Sequence, residues 1–275
     1  IAAYMPNLPE TVIAMLATAS LGAVWSSCSP DFGAQGVLDR FGQIEPKVLI
    51  ACDGYVYAGK SCDVLDTVGR LQREVPSLRA TVVVPFLRPF PDLVTLTGVQ
   101  LWPRWLDAAP DQALRFHQTP FDHPLAILFS SGTTGLPKGL VHTVGGTLLQ
   151  HLKEHQLHTD LGPADRLFYF TTCGWMMWNW LVSGLASGAT LVLYDGAAMH
   201  PAPVLWDLAA REQVTVFGAS ARYLAAVEKA GLEPARTHEL PALRCVLSTG
   251  SPLAPESFDY VYDANGNRLQ VTNNG

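Results

Sequence analysis

Residues 128–139 read Leu128-Phe129-Ser130-Ser131-Gly132-Thr133-Thr134-Gly135-Leu136-Pro137-Lys138-Gly139. The apolar run 125–129 leading into them predicts a buried strand. Four hydroxyls, Ser130, Ser131, Thr133 and Thr134, stand among Gly132 and Gly135, and Lys138 follows Pro137. Glycine lets a backbone come close to an anion, while hydroxyls and amides donate to its oxygens. A lysine adds a compact charge that suits phosphate. The stretch therefore predicts a phosphate-holding loop, with a long helix after a polar break, over 142–158.

The loop is not of the Walker type. That pattern needs G-x-x-x-x-G-K-[ST], and counting from Gly132 puts Pro137 where the second glycine belongs. No G-x-G-x-x-G occurs either, so the dinucleotide fingerprint is missing. The plainer reading is a flexible Ser/Thr/Gly loop with a surface lysine, and ten closely specified positions weigh against it.

Ser130 to Gly139 resembles the signature loop of the adenylate-forming superfamily (acyl-CoA synthetases, luciferases, peptide-synthetase adenylation domains). The resemblance runs from Ile1 to about Tyr262. It implies that Ser130, Ser131, Gly132, Thr133, Thr134, Gly135 and Lys138 hold the β- and γ-phosphates of ATP while a carboxylate attacks the α-phosphate. Thr133 and Lys138 would be the catalytic pair, and Mg2+ and CoA the other cofactors.

Composition bounds the alternatives. With 275 residues and 48% apolar content, the chain can bury roughly three quarters of its unfolded surface. Charged residues are only 15%, against about a quarter in ordinary soluble domains, and the mean hydropathy is +0.17. A net charge of -6 argues against a nucleic-acid partner. No run reaches the roughly 18 apolar residues of a membrane span, and Thr18 and Ser20 interrupt the 12–21 stretch. No charged segment precedes an apolar one as in a signal peptide. Five dispersed cysteines without a C-x-x-C argue for reduced thiols in a cytoplasmic protein.

Along the chain, strands at 1–5, 23–26, 47–52 and 81–84 alternate with helices at about 9–21, 36–44 and 64–74. That alternation predicts an α/β fold of mostly parallel sheets with flanking helices. Residues 53–60, with Tyr55, Tyr57 and Lys60, read as a loop. It is similar to the loop that brings basic residues to the nucleotide end of CoA in short-chain acyl-CoA synthetases, or else it is a solvated turn. The proline-rich 85–124 segment marks a boundary, giving subdomains 1–124 and 125–262 and a polar, asparagine-rich tail, 263–275.

His151-Leu152-Lys153-Glu154-His155 fits H-x-x-E-H, the inverted zinc-protease motif. Only three positions are fixed and Lys153 signals a solvated face, so no metal site is assigned. Trp175, Met176 and Met177 follow a strand at 167–172, in a tryptophan- and methionine-rich stretch that reaches Trp180 and ends in a helix. Such a cluster packs a core in most proteins. By resemblance it is instead the acid pocket of acetyl-CoA synthetases, with Met176 and Met177 replacing a Val-Thr pair. Flexible methionines suit a larger acid than acetate. Further strands at 190–194, 214–218 and 244–248 bracket helices at 203–212 and 221–230. Gly218-Ala219-Ser220-Ala221-Arg222 lacks the last glycine of a nucleophile elbow. Gly250-Ser251-Pro252 is a turn at a strand's carboxyl end, where parallel sheets bind ligands, and by resemblance it lies against adenine and ribose. Together with residues 256–260, it most resembles the acetoacetate-activating members of the superfamily. Asn265-Gly266 is a hairpin signal.

The resemblance thus implies an acid–thiol ligase acting on a small carboxylic acid with ATP and CoA. A non-catalytic nucleotide-binding remnant and another short-chain acyl-CoA synthetase are the alternatives. The family would continue past residue 262 with a glycine-rich loop, a hinge and a small C-terminal lobe bearing a catalytic lysine. The chain is therefore expected to be part of an N-terminal lobe, inactive alone, whose natural partner is that C-terminal lobe.

Overall fold

The computed structural model describes residues 1–130 and 135–253, with the backbone of residues 270–273. Ser131, Gly132, Thr133 and Thr134 lie outside the described residues, as do the 256–260 stretch and Asn265-Gly266. The chain forms two compact units, one of Ile1–Leu148 with Thr172–Met176 and one of Leu149–Thr171 with Met177–Gly275.

In the first unit the elements are β1 (Ala2–Tyr4), α1 (Pro9–Ser20), β2 (Ser26–Cys28), α2 (Ala34–Ile44), β3 (Val48–Cys52), β4 (Gly54–Tyr57) and β5 (Lys60–Asp63). Next come α3 (Leu65–Glu74), β6 (Ala80–Val84), β7 (Val99–Leu101), α4 (Trp102–Asp107), β8 (Pro124–Ser130), β9 (Lys138–Thr143) and the first part of α5 (Val144–Leu152). Five strands make a sheet in the order β2-β1-β3-β6-β7, all parallel. Ala2, Ala3, Leu49, Ile50 and Ala51 are almost wholly buried. A parallel sheet covered on both faces needs such unbroken apolar runs. Pro9 opens α1 in its first turn, where its missing N–H and fixed φ suit a helix start. Gly22, at φ +69, ends the turn that follows.

The second unit continues α5 into a π-helical turn, Lys153–His158, followed by β10 (Arg166–Tyr169), α6 (Met176–Ser183), a 3-10 turn, Gly184–Ser187, and β11 (Thr190–Val192). Then come α7 (Val204–Arg211), β12 (Val216–Ser220), α8 (Ala221–Lys229), α9 (Pro234–Thr237), β13 (Cys245–Thr249) and β14 (Gln270–Asn273). The sheet order is β11-β10-β12-β13-β14, again parallel throughout. Trp206 stacks on Phe217 at 4.4 Å in its core. Among the described residues no helix is long and apolar enough to cross a membrane.

The expected α/β class with mostly parallel sheets is the observed one, and four local expectations need correction. The strand expected to be buried over 125–129 is β8, in which only Ala126 is buried, since it pairs in a two-stranded hairpin instead of a covered sheet. The second strand is Ser26–Cys28 rather than 23–26, because Trp25 turns its backbone to β8 instead, donating to Leu125 O at 2.9 Å and accepting from Ile127 N at 2.8 Å. Residues 54–63 are an antiparallel hairpin rather than a loop, turned by Ala58 at φ +49 and Gly59 at φ +77. The helix expected over 142–158 begins at Val144, because residues 138–143 pair with β8 as β9, and it ends in the π turn.

Candidate functional site

The register of the β8–β9 hairpin sets Ser130 opposite Lys138. The hydroxyl- and glycine-bearing loop is therefore the connection between two antiparallel strands, and no helix starts at its far end. Gly135 sits at φ +106 with open space where a Cβ would be, so its backbone conformation, not crowding, selects glycine. Lys138 is exposed. Gln43 steadies the loop by donating to Pro137 O at 3.0 Å.

Lys60, also exposed, stands at the tip of the β4–β5 hairpin, opposite Tyr57. The base of that hairpin is fixed by Asp53, which is fully buried. Its carboxylate accepts from the amides of Phe86 at 2.7 Å, Leu87 at 2.8 Å and Arg88 at 2.9 Å. Arg88 also reaches Asp63 at 2.6 Å.

Trp175 and Met176 belong to the first unit and Met177 to the second. Ser27 Oγ donates to Cys173 O at 2.6 Å, and the Cys173 thiol lies 3.3 Å from Pro6 O. Gly174 lies so close to Phe32 that a Cβ there would stand 3.0 Å from Phe32 Cε2. The segment is thus fastened at Cys173 and Gly174, and just beyond it Trp175 is 56% and Met176 45% exposed. Exposed apolar side chains on a fastened backbone are available to a ligand. Met177 is half-buried and packs in the second unit with Leu167, Tyr169 and Trp180.

In the second unit, Gly250 follows β13 at φ +93, with Ser251 and Pro252 exposed beside it. In the neighbouring strand Ser220 lies in register with Thr249. Its Oγ caps α8, accepting from Tyr223 N at 3.2 Å, so Ser220 serves as a helix cap.

The H-x-x-E-H side chains are turned to protein partners. His155 Nε2 lies 2.9 Å from Trp180 O and 2.9 Å from Ser183 Oγ. Ser183 Oγ is also 2.9 Å from His151 Nδ1, and Trp180 Nε1 donates to Glu154 Oε2 at 2.8 Å. Burial lowers the His155 pKa to about 4, so the ring is neutral. Asp165 holds a second polar cluster. It accepts from Arg244 Nε at 2.9 Å and Nη2 at 2.8 Å, from Thr215 Oγ1 at 2.7 Å and from Gly162 N at 2.9 Å. Burial alone would raise its pKa, but Arg244, Thr215 and the Gly162 amide outweigh that and lower it. Ser27, Phe32 and Asp53 carried no signal in the sequence, since each acts through partners distant in the chain.

The family model described as AMP-binding enzyme matches residues 1–273, beyond Tyr262 where the resemblance read from the sequence ends. The acetoacetyl-coenzyme A synthetase of Rhizobium meliloti (strain 1021) is 57% identical over 265 residues, covering 96% of this chain and 40% of its own. The acetoacetyl-CoA synthetase of Mus musculus is 49% identical over 275 residues, covering 94% and 39%. The solved acetoacetyl-CoA synthetase from Streptomyces lividans matches with a TM-score of 0.92 at 50% identity, over 99% of this chain and 42% of that one. The chain spans about 40% of the length of the curated relatives it matches.

Proposed function

We propose that this chain, which belongs to the AMP-binding enzyme family, carries the ATP- and acid-binding part of an acetoacetate–CoA ligase. The observation that carries this reading is the hairpin register that sets Lys138 opposite Ser130 across the loop, within a chain 57% identical to an acetoacetyl-coenzyme A synthetase.

In the first half-reaction, a carboxylate oxygen of the acid attacks the α-phosphorus of ATP. The bond to the bridging oxygen breaks, pyrophosphate leaves, and an acyl-adenylate forms. In the second, the CoA thiolate adds to the acyl carbonyl and AMP leaves. Here positioning and neutralisation of charge do most of the catalytic work. Lys138, Ser130, Ser131, Gly132, Thr133, Thr134 and Gly135 would meet the β- and γ-phosphates. Gly250, Ser251 and Pro252 would flank the adenine, Trp175, Met176 and Met177 would receive the acid, and Lys60 would meet the CoA nucleotide. Among the described residues no three His, Cys, Asp or Glu gather to hold a metal. Mg2+ would come with ATP and neutralise part of the charge on its phosphates.

The rest of the relatives' length would complete the thioester half, so the 275-residue chain alone is expected to release no acetoacetyl-CoA. None of its five cysteines is in a disulfide, which supports a cytoplasmic setting.

Calorimetric titration of ATP and of AMP tests the loop assignment. Lys138→Ala removes one charge-assisted phosphate contact and should weaken ATP by about 1.5–3 kcal/mol. AMP, which lacks the β- and γ-phosphates, should bind as before. Equal weakening of both nucleotides would refute the assignment.

A further inference from the structure

We propose that Glu154 and His155 are positioning residues for the acid: through Trp180 they fix the face of α6 that presents Met177. The proposal rests on the reading of Met177 as part of the acid pocket.

All the groups concerned lie in the second unit. Glu154 and His155 stand in the π turn Lys153–His158, a rare geometry that is frequent at functional sites. They hold Trp180 at two points. His155 Nε2 meets the Trp180 carbonyl at 2.9 Å, in the last turn of α6, where the same carbonyl also accepts from Ser183 Oγ at 2.7 Å. Glu154 Oε2 takes the indole N–H at 2.8 Å, and the imidazole packs 4.2 Å from the indole. A carbonyl can only accept, so His155 Nε2 carries the proton. Nδ1 is then bare, and it has no hydrogen-bond partner among the described residues. Ser183 ties in His151 at 2.9 Å.

Met177 precedes Trp180 by three residues, so the two share a helix face. Trp180 belongs to one buried cluster with Leu167 and Tyr169, Met177 packs against that cluster, and the Tyr169 ring stands edge-on to the indole at 5.9 Å. With eight residues in α6, a change at Trp180 is carried to Met177 one turn away.

The test labels the methionine methyls of the 275-residue chain with 13C and follows them by NMR. Glu154→Ala and His155→Leu should shift the Met177 methyl resonance and leave Met199, which packs in the other core cluster of this unit, in place. Glu154→Gln keeps an oxygen for the indole N–H and should restore the native shift. The same substitutions are then read in the Streptomyces lividans enzyme carrying residues 1–273 of this chain in place of its matching segment. Glu154→Ala should lower the acetoacetate-to-butyrate ratio of kcat/KM about threefold or more, within the discrimination a pocket of this kind supplies, and Glu154→Gln should not. An unmoved Met177 methyl, or an unchanged ratio, overturns the proposal. If His155→Leu does not fold, Glu154→Ala, at a half-buried side chain, decides alone. No acetoacetate preference in the unmutated graft overturns the pocket reading and this proposal with it, and shows itself before any substitution is made.

Discussion

Ser27 Oγ donates to the carbonyl oxygen of Cys173 at 2.6 Å, joining residues 146 apart in sequence. The bond returns Thr172–Met176 to the first unit, and with it the backbone that presents Trp175 and Met176.

Ser27→Ala removes that hydrogen bond and the acceptor of the Trp25 indole N–H, 3.2 Å away, and should destabilise the first unit by about 1–2 kcal/mol. Gly174→Ala pushes a methyl to 3.0 Å from Phe32 Cε2 and should cost about 1–3 kcal/mol by overpacking. Phe32→Leu removes the ring, so the two changes should compensate in a double-mutant cycle of urea midpoints. Strictly additive losses would show that the ring does not hold Gly174.

Acid should loosen the second unit through His155. Burial lowers its pKa in the folded state from the ordinary 6.5 to about 4. Between those values the unfolded chain binds the proton more readily, so stability is full above about pH 6.5 and falls as the pH drops toward about 4. The loss should be on the order of 2–3 kcal/mol. His155→Leu should flatten the pH profile of the urea midpoint in that window. A slope that persists would assign it to other groups.

The Asp165–Arg244 pair should matter more than its exposed neighbours. Asp165→Asn keeps the shape but removes the charge facing two Arg244 nitrogens, and should cost about 1–2 kcal/mol, Arg244 being partly screened by solvent. Arg211→Ala breaks only an exposed pair with Glu212 and should change stability by less than about 0.5 kcal/mol. Because the folded Asp165 pKa is depressed, its contribution is present above the ordinary carboxylate value and lost as the pH falls below it. Equal effects of the two substitutions in denaturant titrations would contradict this ranking.

What the sequence made legible was local. Residues 47–52 are apolar almost throughout, and they form β3 in a sheet buried on both faces. The hydroxyl-glycine-lysine motif sits in ten consecutive residues, so it could point to the family whose model matches residues 1–273. The β4–β5 hairpin escaped because its turn is Ala58-Gly59, and alanine at φ +49 carries none of the asparagine or aspartate signal of such turns. Residues 138–143 escaped because their partner strand, not their own pattern, makes them extended. The H-x-x-E-H pattern looked like metal chemistry, yet its meaning lies with Trp180 and Ser183, 25 to 32 residues away.

The acid is tested most directly in the Streptomyces lividans enzyme carrying residues 1–273 of this chain in place of its matching segment. The measurement is kcat/KM for acetate, butyrate and acetoacetate, with and without Met177→Thr. A pocket of this kind discriminates by about 1–3 kcal/mol per methylene, so acetoacetate should lead by about tenfold, with acetate a poor substrate, and Met177→Thr should narrow the gap. Preference for acetate from the start, or a gap that Met177→Thr leaves untouched, would contradict the assignment of Trp175, Met176 and Met177 to the acid.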